Sequence, residues 1–110
     1  MIAVDATKSI ERAVCYELKN IVQKYGATYN SEHEAYAVLL EEAQEAGEAA
    51  GFLETKLEDV WNTIRNNDIT SVGNKVGEVR EWALALAEEA VQCAAVCERF
   101  LETVKTKNEA

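Results

Sequence analysis

Not one of the 110 residues is proline, and only five are glycine. Turns recruit both residue types, so a chain this poor in them has few turns and long uninterrupted helices. Ala, Glu, Leu and Lys, all strong helix formers, are abundant, and no stretch alternates Val, Ile, Thr and aromatics in the manner of a strand. The chain is read as all-α, with residues 1–110 as a single domain.

Apolar spacing predicts three helices. Ile10, Val14, Leu18, Ile21 and Tyr25 recur at steps of three and four, which gives a first helix from about Asp5 to Tyr25, stopped by Gly26. Ser31 followed by Glu34 forms a capping box, in which each side chain is expected to satisfy a free N–H of the first turn. Ala35, Leu39, Ala46, Leu53, Leu57, Val60 and Ile64 then carry a second stripe to about Arg65. Gly47 and Gly51 weaken that helix, or mark a kink or a close approach of another helix. Asn66-Asn67-Asp68 reads as a turn with Asp68 as the next N-cap. The last helix is clearest from Val76 to Val104, and the pattern leaves open whether residues 71–77 belong to it. Three long helices alone leave much apolar surface wet, so a bundle completed by oligomerisation, as a dimer or tetramer, is expected.

The net charge is −9, and residues 31–60 carry nine acids against the single Lys56. Such a balance excludes a generic binder of the nucleic-acid backbone, which needs clustered Lys and Arg. No Lys/Arg-rich amphipathic face suits a membrane surface, and no run of 18 apolar residues spans one. The N-terminus lacks a signal-peptide layout, and three cysteines (Cys15, Cys93, Cys97) make no disulfide framework, so a cytoplasmic location is expected.

Most of the acids belong to solvated helix faces, but two stand where apolar residues are due. The second stripe reads Ala35, Leu39, Glu42, Ala46, and the third reads Trp82, Leu86, Glu89, Cys93. Buried charge is costly and is usually neutralised by a partner or a metal. Each acid has a polar companion three residues on, Glu45 and Gln92, on the same side of its helix. Three carboxylates and an amide make an oxygen-rich set suited to Mg²⁺ or Mn²⁺.

The strings LLEEAQEA (residues 39–46) and AEEAVQCAA (residues 87–95) resemble the two metal motifs of the MazG-like all-α nucleoside triphosphate pyrophosphohydrolases, Glu-Glu-x-x-Glu and Glu-x-x-Asp. Glu41, Glu42 and Glu45 match the first motif and Glu89 opens the second. HEAYAVLLEE and EEAVQCAAVCERF are also similar to small phage and prophage members. The resemblance implies a helical oligomer that holds Mg²⁺ over a nucleotide's phosphates, with metal ligands Glu42, Glu45, Glu89 and Gln92 and Glu41 adjacent. Gln92 stands where the family has Asp, which removes one ligand charge. The expected function is therefore sequestration of a nucleotide or nucleotide-derived signal with weak or no hydrolysis. The alternatives are Mg-dependent hydrolysis of a nucleoside triphosphate to pyrophosphate and monophosphate, and a purely structural oligomer.

For the base of such a ligand, Tyr29, His33, Tyr36 and Trp61 are available to stack, and Asn62, Asn66 and Asn67 to make polar contacts. Trp82 reads as core. Lys19, Lys24, Arg65, Lys75 and Arg80 are the cations on offer to phosphates. Cys93 and Cys97 lack the further ligands that zinc requires and read as small apolar residues. No histidine is paired with a nucleophile in sequence, and no Gly-rich phosphate loop is present.

Overall fold

A computed structural model describes residues 1–109. It contains three helices and, among the described residues, no strand: α1 (Val4–Tyr25), α2 (Glu32–Arg65) and α3 (Ile69–Glu109). No helix among them is long and apolar enough to cross a membrane.

The ends follow local chemistry. Gly26 closes α1 at φ 94°, a left-handed value that costs a residue with a Cβ, and its N–H donates to the carbonyl of Val22. Ser31 Oγ accepts the N–H of Glu34 at 3.1 Å, but the other half of the capping box is not made: Glu34 instead accepts a bond from the Asn30 side chain at 3.1 Å. Asn67 takes φ 57°, the left-handed turn conformation that asparagine tolerates. Asp68 opens α3 by accepting the hydroxyls of Thr70 and Ser71, at 2.9 and 2.8 Å. Those bonds, Ser71's foremost, hold the Asp68 carboxyl below its ordinary range. Residues 71–77 prove to be helical throughout. Gly47 and Gly51 mark neither a break nor a close approach: α2 runs through both, and a Cβ at either meets nothing within 4 Å.

The chain forms two compact units, Met1–Ala43 with Ala90–Ala110, and Gln44–Glu89. In the first, Tyr29, Ala35 and Val96 make the buried core, with Val38, Leu39 and Phe100 packed around it. α1 contributes no fully buried residue; Val14, Leu18 and Ile21 are half-buried, while Ile10 and Tyr25 at the ends of its stripe are exposed.

What fastens the connection after α1 is Arg99, 7% exposed. Its Nε donates to the carbonyl of Gly26 at 3.1 Å, and one terminal nitrogen donates to Tyr25 and Thr28 at 3.1 and 3.0 Å. The guanidinium also lies 3.9 Å from the centre of the Tyr29 ring. It thus supplies positive charge to carbonyls that α1 leaves unpaired at its negative end. Beside it, Thr103 Oγ1 accepts the buried N–H of Tyr29 at 2.9 Å and donates to the Arg99 carbonyl at 2.8 Å.

The second unit is a helical hairpin closed by the turn at residues 66–68. Phe52 stacks on Trp82 with ring centres 4.6 Å apart, which fixes its antiparallel register. Trp82 is half-buried there.

Arg99→Met keeps much of the side chain's bulk but strands three carbonyls. Hydrogen bonds from a charged donor are worth about 1.5–3 kcal/mol each and are not additive, so a loss of about 3 kcal/mol is expected in urea unfolding.

Candidate functional site

Each unit gathers part of the polar residue set. In the first, a cavity of about 680 Å³ is lined by Glu17, Glu34, Glu42, Gln92, Tyr29 and Arg99. Its walls are apolar where Ile21, Val38 and Val96 reach it. The one guanidinium present gives Nε and one terminal nitrogen to backbone carbonyls, and three glutamates outnumber it, so the cavity's character is acidic.

In the second unit, Glu45 of α2 and Glu89 of α3 come together. The Glu45 carboxyl is held above its ordinary value of 4.5, first by its hydrogen bond with the Glu89 side chain, then by loss of water and by repulsion from the Glu89 charge. Glu89 Oε2 is buried with no hydrogen-bond partner among the described residues. Two carboxyls so placed suit either a shared proton or a hard divalent cation. Glu45 and Glu89 are the residues of this unit that could hold one.

Glu42 and Glu89 are both half-buried, as their place in the apolar stripes led one to expect, whereas Glu41 is exposed. Of the stacking candidates, Tyr29 lines the cavity but is 5% exposed, its ring covered by Arg99. His33 and Tyr36 are exposed and do not line that cavity, and Trp61 belongs to the second unit, 59% exposed. Asn62 and Asn66 line a separate cavity of about 240 Å³ beside the turn, together with Lys75 and Asp68; Asn67 does not. Among the cations, Lys75 pairs with Glu78 at 3.6 Å, Arg80 with Glu81 at 3.5 Å, and Arg65 donates to Asn62 at 3.3 Å. Lys19 and Lys24 are exposed on α1. Cys93 and Cys97 are half-buried free thiols; loss of water, with Cys93 next to it, pushes the Cys97 thiol up and away from the reactive thiolate form.

Sequence reasoning missed Glu17, Glu34 and, above all, Arg99. The signal for Arg99 was its position: it stands between Val96 and Thr103 on the buried side of α3, where the stripe calls for an apolar residue.

Comparisons with protein-family models, with curated proteins and with solved structures find no match to this chain.

The Glu45–Glu89 pair makes a pH-dependent prediction. A carboxyl raised in the folded state contributes its full share of stability below 4.5, and that share is lost as pH climbs through the raised value. Glu45→Gln, which cannot ionise, is therefore expected to have a higher Tm than the parent at pH 7, with the gap closing near pH 4. Scanning calorimetry of both proteins across that range, in the presence of a chelator, checks it.

Proposed function

We propose that this protein binds a nucleotide or nucleotide-derived signalling molecule through a divalent cation, Mg²⁺ or Mn²⁺, and holds it with weak or no hydrolysis. The reading takes the chain as a MazG-like oligomer of the small phage type, acting in the cytoplasm, that of the host where a phage encodes it. One observation supports it: the Glu45–Glu89 pair, in which carboxyls from two helices are hydrogen-bonded to each other and Glu89 Oε2 is buried with no hydrogen-bond partner among the described residues. The resemblance adds Glu42 and Gln92 as further oxygen ligands. A bound divalent cation supplies charge neutralisation for phosphates that an acidic protein otherwise repels.

Gln92 separates a binder from a hydrolase. An amide oxygen coordinates Mg²⁺ without bringing a negative charge, so the metal is held less tightly and its catalytic use falls.

The test is a depletion assay. Purified protein is incubated with Mg²⁺ or Mn²⁺ and a panel of canonical, cyclic and ADP-ribose-type nucleotides, and ultrafiltrates are read by mass spectrometry. The expected result is one nucleotide leaving the filtrate and returning intact when the protein is denatured. Its conversion to a monophosphate establishes the hydrolase, and a pool left untouched by both metals removes the reading. Gln92→Asp is expected to tighten Mg²⁺ binding about tenfold, the equivalent of about 1.4 kcal/mol from one added ligand charge.

A further inference from the structure

All three helices line the cavity of the first unit, and its charges are sorted along it. Arg99 marks one end. Its Nε and one terminal nitrogen are given to the carbonyls of Gly26, Tyr25 and Thr28, and the Tyr29 ring covers one face of the guanidinium. The other terminal nitrogen, Nη1, has no hydrogen-bond partner among the described residues. Yet Arg99 is only 7% exposed and lines the cavity. A charged donor in so buried a residue is costly to leave unmatched.

The opposite charge lies at the other end. Glu17 stands eight residues before Tyr25, whose carbonyl Arg99 holds, and Gln92 stands seven before Arg99 itself. At a rise of about 1.5 Å per residue they lie about 12 and 10.5 Å along their helices from the Arg99 end. In α2, which runs antiparallel to α3 here, Glu32 pairs with Lys107 at 3.2 Å and Ala35 packs with Val96. Glu34 is therefore near the Arg99 end, and Glu42, eight residues on, is about 12 Å further along. Glu17 and Glu42 are both half-buried. About midway between the ends each helix sets one apolar residue on the cavity: Ile21, Val38 and Val96. Glu34 is the one acid out of place; it is exposed and already accepts the Asn30 amide at 3.1 Å.

We propose that this cavity binds a small zwitterion, an ammonium and a carboxylate about 10 Å apart across an apolar middle, the carboxylate on Arg99 Nη1 and the ammonium between Glu17 and Glu42. A slot with a donor at one end, carboxylates at the other and an apolar waist suits neither a bare phosphate nor a lone metal ion. A ligand of no net charge also escapes the repulsion that three glutamates impose on an anion. Three extended residues span about 10 Å, so a free tripeptide with an apolar centre has these dimensions, and an ω-amino acid of similar length shares the chemistry. A volume of about 680 Å³ lies within the usual range of small-molecule pockets.

The inference is separate from the nucleotide reading, which needs a divalent cation, so the test is run in a chelator, where that reading gives no binding. The full chain is titrated calorimetrically with Gly-Leu-Gly and, separately, with 8-aminooctanoate. At least one is expected to bind, and which one does tells a peptide from an ω-amino acid. Acetylating the amine and amidating the carboxylate of that probe are each expected to weaken it about tenfold or more, the worth of one charge-assisted contact. Glu17→Gln is expected to weaken the uncapped probe about tenfold and to leave the acetylated one unaffected, since the ammonium it served is already gone. Arg99 anchors the fold, so its part is read from the amidated probe and not from a substitution. Failure of both probes to bind at millimolar concentration, binding that survives either cap, or binding that Glu17→Gln leaves unchanged would each overturn the proposal. The depletion assay in Mg²⁺ or Mn²⁺ stands or falls on its own.

Discussion

The first unit depends on one buried cation. Without Arg99, the carbonyls of Tyr25, Gly26 and Thr28 have no hydrogen-bond donor from α3, and the connection to α2 loses its anchor. α1 has little else to hold it, since none of its residues is fully buried. Arg99 also sets the Tyr29 ring, and its own backbone carbonyl accepts from Thr103, which in turn satisfies the Tyr29 amide. A planar guanidinium with several fixed donors does this where a lysine's single ammonium would not. The cost of desolvating the charge is offset because backbone carbonyls and a π-face replace the water it loses.

The second unit has the opposite economy. Its hairpin is tied by the Phe52–Trp82 stack and by local bonds at the turn, with one buried residue between the helices. Two helices joined by a tight turn bury too little apolar surface to offset the conformational entropy of ordering them. Large side chains left half exposed on such a hairpin are the expected mark of a contact completed from outside it.

Helix ends were the legible part of the sequence because they are set locally. Gly26, Ser31 and Asp68 act through bonds spanning a few residues, so their chemistry can be read from spacing. Glu42 and Glu89 were legible as half-buried for a similar reason, since a stripe with period 3.6 fixes which face an acid shares. Glu45 and Glu89 were expected in one site because each motif sets a polar residue three positions from its partner on the same side of its helix, and the structure brings these two carboxyls together. The position of Arg99 on the buried side of α3 was a signal, but its role was not legible, because its partners are backbone carbonyls more than 70 residues away and a carbonyl leaves no trace in residue identity. Tyr29 shows what tertiary contacts add: an aromatic beside a turn gives no sign in sequence that Arg99 covers its ring and that Thr103 accepts its amide N–H.

Charge constrains any ligand of the first unit's cavity, which Glu17, Glu34 and Glu42 line together with one guanidinium. Two unit charges 4 Å apart interact by about 1 kcal/mol in water and several times that where water is thinned, so three carboxylates repel a bare phosphate decisively. An anionic ligand must therefore arrive with cations, and its affinity must collapse in a chelator. A ligand that is itself a cation obeys the reverse rule, because Mg²⁺ then competes for the same oxygens and a chelator strengthens binding. The sign of the metal dependence thus separates a phosphate-bearing ligand from an amine-bearing one before either is identified. Under the proposed function that sign is positive, because the phosphates meet the protein only through the metal.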